Sequence, residues 1–257
     1  MEDFSAILLT TLIKRPYVAA FLIAYLVIAW RCTGGFWTLM FLLLGYDLAF
    51  LSEYLSINYG IPYGWYVYRY EALRGEWINH GVPVWDSVSY VFMNFAGLCA
   101  AWTAIGGKRS IDKPRGQLKL WLLAALFVTL LDVVTDPLAH MGERWFLGKI
   151  YFYPNPGFYF DVTFANFVGW YVTSLAICGT GIFLLKFPKV LKWNGLNTFL
   201  SLGLYYGIFA FTLGITIYLS EWLLVLCDLF WIGLTIFWVR GGARLHIAQK
   251  LQNRTLE

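Results

Sequence analysis

LKLWLLAALFVTLLDVVTDP, residues 118–137, decides the fold, because it is an almost unbroken apolar run with the length of a membrane-spanning helix. Two aspartates, Asp132 and Asp136, nevertheless stand at its outgoing end. An ionised carboxylate is costly inside a membrane, and by default it marks a functional site or a water-filled cavity. The run therefore predicts a transmembrane helix that carries part of a functional site.

The composition of the whole chain agrees with a membrane environment. Of its 257 residues, 60% are hydrophobic, 20% are aromatic and 13% are charged, and the mean hydropathy is +0.62. A soluble domain carries roughly twice that share of charged residues. The net charge of +4 is too small to predict binding to nucleic acid. We expect one integral membrane domain over residues 1–257, in a bacterial or archaeal cytoplasmic membrane.

Seven apolar runs predict an all-α polytopic fold with about seven transmembrane helices. The first run is short, and Phe4–Ile13 before it predicts a helix at the membrane interface. The fifth run is long, and we expect it to include some interfacial helix. The predicted spans lie near residues 17–30, 36–55, 82–105, 118–137, 159–187, 196–219 and 222–239.

The positive charges predict the orientation. The loops after spans 1, 3 and 5 and the C-terminal tail carry 13 lysines and arginines, whereas the opposite side carries six. Because cytoplasmic loops are enriched in these residues, we predict an outside N-terminus and a cytoplasmic C-terminus. The acidic start Met1-Glu2-Asp3, with no small-residue cleavage site after the first apolar run, argues against a removable signal peptide.

The acids of the spans gather at the opposite end from these cations. Carboxylates that open a helix stabilise its dipole, so we interpret Asp161 and Glu221 as capping residues, and Asp86 fits the same role. The predicted topology puts eight acids from five spans at the outer surface or in the outer half of the membrane, namely Asp47, Glu53, Asp86, Asp132, Asp136, Asp161, Glu221 and Asp228.

Capping does not explain Asp132 and Asp136. They lie at the C-terminal end of their helix, where the dipole disfavours negative charge. Four residues apart, they share one helix face. Two close carboxylates in a partly dry site tend to hold one proton between them, so the pair can act as a proton donor.

Two loops on the acidic side are rich in aromatic residues. They are NYGIPYGWYVYRY, residues 58–70, and KIYFYPNPGFYF, residues 149–160. An interfacial aromatic belt explains many of these residues, and it is the simpler interpretation for Tyr66 and Tyr68. Aromatic faces also stabilise cations. Acids and aromatics together in a membrane suggest protonation of an alkene in an apolar substrate.

Other chemistries fit the sequence less well. The acid pair could hold Mg²⁺, as in membrane prenyltransferases, but the acidic side has few cations to bind a diphosphate. His80, His140 and His246 are isolated, which argues against a di-iron hydroxylase. The four cysteines show no metal-ligand spacing. We therefore expect neither a metal nor a cofactor.

Four blocks of the sequence together carry a family resemblance. They are SEYLSINYGIPYGWYVY (Ser52–Tyr68), GVPVWDSVSYVFMNFAG (Gly81–Gly97), LDVVTDPLAHMGERW (Leu131–Trp145) and YFDVTFANFVGWYVTS (Tyr159–Ser174). In this order they resemble the membrane carotenoid-biosynthesis protein family of CruF type, which includes carotenoid 1′,2′-hydratases and the bacterioruberin-pathway hydratase. The Asp-x-x-x-Asp-Pro block and Asn-Phe-x-Gly-Trp are the most specific parts. Val67 stands where the family usually has a histidine.

The resemblance implies a hydratase that adds water to the terminal C1′=C2′ double bond of an acyclic ψ-end carotenoid of the lycopene or γ-carotene type. It implies no cofactor, and it implies the lipid bilayer and other carotenoid-pathway enzymes as partners. We expect Asp132 or Asp136 to donate the proton and Glu53 to activate water. For Asn166 and Trp170, interhelical bonding and packing are the open alternative to a pocket role. The expected substrate-binding residues are Asn166, Trp170, Asp86, Tyr90, Tyr66 and Tyr68.

Two other functions stay open from the sequence. A membrane terpene or carotenoid cyclase would use the same protonation but trap the cation with an internal alkene. A non-catalytic carotenoid or lipid binder, or a proton-coupled transporter, belongs to another class. A binder does not need paired acids, and the chain lacks the internal repeat that is typical of transporters.

Overall fold

The computed structural model is an all-α bundle that describes residues 4–107, 111 and 114–254, with side chains described up to residue 244. Lys108, Arg109 and Lys113, which contribute to the predicted charge bias, and residues 1–3 lie outside the described residues. The helices are α1 (Phe4–Lys14), α2 (Pro16–Thr33), α3 (Gly35–Tyr59), α4 (Val84–Ala104), α5 (Pro114–His140), α6 (Phe164–Gly179), α7 (Phe187–Val190), α8 (Gly195–Tyr218) and α9 (Trp222–Arg254).

Six helices among the described residues are long and apolar enough to cross a membrane. They are α2, α3, α5, α8, α9 and α6, which continues through a π-helical turn at Thr180–Leu184. The remaining predicted span, near residues 82–105, is α4. Its 21 residues reach about 32 Å, which is enough to span a bilayer. It is more polar than the other six, so the number seven stays a prediction.

Helix α4 is the central element of the bundle, because it packs against α2, α3, α5, α8 and α9. Small residues allow this close packing. A Cβ atom added at Gly97 would lie only 3.2 Å from the backbone nitrogen of Val128 on α5. Helix α4 thereby carries its polar residues, including Asp86 and Ser87, into the interior of the bundle.

The start of the predicted fifth span is wrong. Residues 159–163 form a tight loop rather than a helix, and α6 begins at Phe164. Isolated bridges pair Gly157 with Asp161 and Tyr159 with Val162, and they hold this segment in a tight loop. Asp161 adopts a left-handed backbone with φ of 65° and lies three residues before α6. It therefore does not cap the helix, and its interpretation as a capping residue is also wrong.

The loops at the acidic end pack on one another. Helix α1, the expected helix near residues 4–13, lies against the loop after α3, where the Thr11 hydroxyl accepts a bond of 3.1 Å from the Trp77 backbone nitrogen. Strand β1 (Val67–Tyr68) pairs antiparallel with β4 (Tyr151–Phe152). Strands β2 (Ile78–Asn79) and β3 (Val82–Pro83) form a second small ladder just before α4. The two aromatic loops are thus joined across the end of the bundle.

Candidate active site

All nine predicted site residues line a single cavity, the main cavity, whose volume is about 160 Å³. It lies beneath the paired loops, between α3, α4, α5 and α6. The chain brings these residues together from four helices and one loop. They are Glu53, Tyr66, Tyr68, Asp86, Tyr90, Asp132, Asp136, Asn166 and Trp170.

The acid pair is joined by one amide group. Asn166 lies in the first turn of α6, and its Nδ2 donates to Asp132 Oδ2 at 2.8 Å and to Asp136 Oδ2 at 3.1 Å. The hydroxyl of Tyr153 donates to the same oxygen of Asp136 at 3.0 Å. Both carboxyl groups are buried. Asn166 therefore contacts the acids directly, beyond any role in helix packing.

No cation neutralises this pair in the described part of the chain. The ion pairs found there connect other acids, and the donors to Asp132 and Asp136 are the neutral groups of Asn166 and Tyr153. Two unpaired negative charges side by side in a buried site are strongly unfavourable. This environment therefore favours retention of one proton on the pair over ionisation of both carboxyl groups.

A second polar group of the main cavity does contain a cation. Arg15 connects α1 and α2, and it is buried with 2% exposure. Its Nε contacts Glu76 at 2.8 Å, and its Nη1 contacts Asp86 at 2.9 Å. Burial lowers the pKa of Arg15, but the carboxylates of Asp86 and Glu76 raise it by more, so the net shift is upward and the guanidinium stays charged. Asp86 is therefore an ion-pair partner rather than only a helix cap.

Glu53 lies beside this ion pair. It accepts a hydrogen bond of 2.7 Å from the Ser87 hydroxyl, and the Tyr68 hydroxyl interacts with both Glu53 and Asp86. Burial raises the pKa of Tyr68 well above its ordinary value, with a contribution from Glu53, so this tyrosine remains a donor. The main cavity thus has an acid pair with neutral hydrogen-bond donors and, separately, a carboxylate cluster that contains a buried arginine.

Aromatic rings form the walls between these polar groups. Trp170 stacks on Tyr90 with ring centroids 3.9 Å apart and an interplanar angle of 7°. Tyr63 lies against both, and hydrogen bonds of 2.8 Å to Ser52 and Thr173 fix its hydroxyl. The negative face of such a ring stabilises a positive charge placed against it.

The paired loops turn alternate side chains into the main cavity. Side chains of a strand alternate between two faces. Tyr66 and Tyr68 are accordingly buried, with 8% and 5% exposure, whereas Val67 between them is 44% exposed. The membrane-belt interpretation of these two tyrosines is therefore wrong. Position 67, at which the sequence departs from the family pattern, faces away from the site.

Sequence reasoning did not single out Arg15, Tyr63 or Tyr153. The two tyrosines stand within the aromatic loops, but the sequence does not indicate which rings of such a loop turn inward. In the sequence, Arg15 looks like an ordinary loop cation before the first span. Its partners Glu76 and Asp86 are 61 and 71 residues away along the chain, so local patterns do not indicate the ion pairs.

Besides Asp161, three of the eight acids lie away from the main cavity. Asp47 is exposed on the outer face of α3. Asp228 is buried on α9, where it accepts a bond of 2.9 Å from Thr216 on α8. Glu221, directly before α9, forms an ion pair with Arg144. None of the three lines the main cavity, so only part of the predicted acid layer belongs to the site.

Fold and site together define an integral membrane protein whose buried acids face a small aromatic cavity. A model of the carotenoid biosynthesis protein family matches residues 14–235, so the chain belongs to that family and has a role in carotenoid biosynthesis. No curated protein and no solved structure matches the chain.

Proposed function

We propose that the protein is a carotenoid hydratase of the CruF type, which adds water to the terminal C1′=C2′ double bond of an acyclic ψ-end carotenoid. The observation that carries this proposal is the arrangement of Asp132, Asn166 and Asp136, a buried acid pair without a counter-cation that faces aromatic walls. Such a pair can protonate an alkene, and an apolar membrane cavity is where a polyene is found.

The size of the main cavity supports a chain-end substrate. An apolar cavity of about 150 Å³ is large enough to bind benzene. The main cavity, at about 160 Å³, therefore holds a terminal isoprene unit but not an entire carotenoid. The remainder of the polyene must extend out of the bundle into the lipid.

Three partly exposed rings mark where the polyene leaves. Tyr17 and Phe21 on α2 and Phe211 on α8 line the apolar side of the main cavity. Tyr17 and Phe211 stack with centroids 5.1 Å apart, and Phe21 meets Phe211 edge-on at 5.9 Å. Because α2 and α8 face lipid as well as the cavity, the seam between them connects the site with the membrane.

These positions support the following reaction. The acid pair transfers a proton to the CH carbon of the terminal double bond, and the other alkene carbon becomes a tertiary cation. The rings of Tyr90 and Trp170 stabilise this cation, and a water molecule forms the new C–O bond. Glu53 accepts the proton that the bound water loses. The product is a tertiary alcohol, and proton transfer of this kind contributes about 10²- to 10⁴-fold to a rate.

The test is expression of the chain in cells that make lycopene, followed by carotenoid analysis. We expect a hydroxylated product whose mass exceeds that of lycopene by one water, and we expect Asp132→Asn and Asp136→Asn to abolish it. A cyclised product of unchanged mass would instead identify a cyclase. Bound but unconverted carotenoid would identify a binder, and full activity of both variants would overturn the assignment of the acid.

A further inference from the structure

A second cavity lies directly behind the main one. This polar cleft has a volume of about 320 Å³ and is formed by the loops at the acidic end of the bundle. Its polar and charged walls suit water rather than a carotenoid. They are formed by Arg69, His140, Lys149 and Asp161.

Tyr153 is the partition between the two spaces, because it lines both the polar cleft and the main cavity. Its ring is buried and stacks on His140, with centroids 4.8 Å apart and an interplanar angle of 9°. Its hydroxyl donates to Asp136 on the main-cavity side. Burial, with a contribution from Asp136 and Asp132, raises the pKa of Tyr153 well above its ordinary value, so the hydroxyl keeps its proton.

His140 gives a second indication that the polar cleft is wet. Its Nε2 is buried and has no hydrogen-bond partner among the described residues. Buried polar atoms of this kind are nearly always satisfied by protein or by ordered water. A water molecule in the polar cleft is the simplest partner for this nitrogen.

Hydration of an alkene needs both water and a returning proton. Each turnover consumes one water, and the walls on the lipid side of the main cavity are mainly apolar. Each turnover also leaves the proton donor ionised, while Glu53 holds the proton taken from water. When Glu53 releases its proton to solvent, one proton must return to the donor before the next alkene can react.

We propose that the polar cleft is the water vestibule of the site, and that Tyr153 is a positioning residue through which Asp136 regains its proton. This proposal rests on the proposed function. In the return step, the Tyr153 hydroxyl gives its proton to Asp136 and, in the same step, takes one from water in the polar cleft, so that no tyrosinate forms. The hydroxide left by that water combines in solvent with the proton that Glu53 releases. The tyrosine is unchanged at the end, and the proton that enters equals the one released by Glu53. Asp136 is then the proton donor of the pair.

The first test is Tyr153→Phe, which keeps the stacked ring and removes only the hydroxyl. We expect kcat to fall about 100-fold, within the range of general acid–base catalysis, while KM for the carotenoid stays unchanged. We also expect a larger solvent deuterium isotope effect on kcat, because proton return becomes limiting. The matched control is Tyr70→Phe, which removes an exposed hydroxyl bonded to the Gly81 carbonyl. It should leave both parameters unchanged.

The second test measures whether water-soluble reagents pass from the polar cleft into the main cavity, and it does not require turnover. Ala139 lines the main cavity. A cysteine introduced at this position is labelled by any water-soluble thiol reagent that enters the main cavity, and the labelling rate measures that access. We expect Ala139→Cys to react several-fold faster when Tyr153→Ala is added, with the unsubstituted chain as the control for its native cysteines. Equal reaction rates would overturn the partition even if hydration is confirmed. If hydration fails, faster labelling would still establish the vestibule.

The proposal can still be tested if one of these variants does not fold. If Tyr153→Ala gives no folded protein, Tyr153→Phe decides the question by itself. Native turnover together with a native isotope effect in Tyr153→Phe would overturn the proton route.

Discussion

Asn166 is the residue on which the state of the acid pair depends, because its single amide nitrogen contacts both carboxyl groups. We predict that Asn166→Leu, which keeps the volume and removes the donor, lowers turnover at least 10-fold. Loss of the donor leaves buried acceptors unsatisfied, which costs about 1–3 kcal/mol of stability. Product formation and thermal unfolding in detergent would measure the two effects.

The matched control is Asn58→Leu. Asn58 also donates through its side-chain amide, at 2.8 Å to the Tyr54 carbonyl, but it is exposed at the end of α3. We expect this variant to keep native turnover and stability. Equal behaviour of the two variants would contradict the role of Asn166.

Among single residues, the sequence identifies the acids of the site more easily than the tyrosines around them. Asp132, Asp136 and Glu53 stand out because charges are rare in apolar helices and their cost demands a reason. Tyr153 and Tyr63 do not stand out, because a tyrosine that lines the cavity and a tyrosine of the membrane-interface belt look the same in the sequence. The pairing of Tyr68 with Tyr151 orients the tyrosines of the two loops. Hydrogen bonds to Ser52 and Thr173 orient Tyr63.

At the scale of elements, the contact between α6 and the loop after α3 holds an aromatic wall in place. A Cβ atom added at Gly169 would lie 2.9 Å from the Cα of Tyr63 and 2.9 Å from the backbone carbon of Pro62. Backbone cannot give way as a flexible side chain does. We predict that Gly169→Ala displaces Tyr63, destabilises the protein by about 1–3 kcal/mol and reduces turnover.

Gly203→Ala on α8 is the control for this prediction. A Cβ atom at Gly203 meets nothing within 4 Å, so the change should be neutral or stabilise the helix by up to about 1 kcal/mol. Thermal unfolding of the two variants in the same detergent would measure the difference. A Gly169→Ala protein as stable and active as Gly203→Ala would show that the contact is not needed.

Hydropathy predicts the ends of a helix well where the helix faces lipid, and it predicts them poorly where the chain packs against protein. The predicted spans near 196–219 and 36–55 match α8 and α3 closely, because most of the exposed side chains of these helices are apolar. Residues 159–163 continue the apolar run in sequence but form a tight loop, which the bridges Gly157–Asp161 and Tyr159–Val162 hold. The β1–β4 pairing joins segments more than 80 residues apart, which local patterns do not indicate.

For the whole molecule, the main question is how a substrate longer than the site enters it. The main cavity is closed by the paired loops on the acidic side, and its apolar side reaches the seam between α2 and α8. A polyene that lies in the membrane can then place one end on the acids while its remainder stays in lipid. This geometry predicts that residues of the seam affect binding of the chain and not the chemistry.

We therefore predict that Phe211→Trp, which narrows the seam, raises KM for a full-length ψ-end carotenoid about 10-fold with little change in kcat. An interaction with a remote part of a substrate that is equal in ground and transition states acts on KM alone. A short acyclic terpene with the same end group, which fits inside the main cavity, should be unaffected. Phe199→Trp, at a 72% exposed position of the same helix, is the control. If Phe211→Trp lowers kcat equally for both substrates, the ring acts on the reacting end, and the polyene must leave the bundle elsewhere.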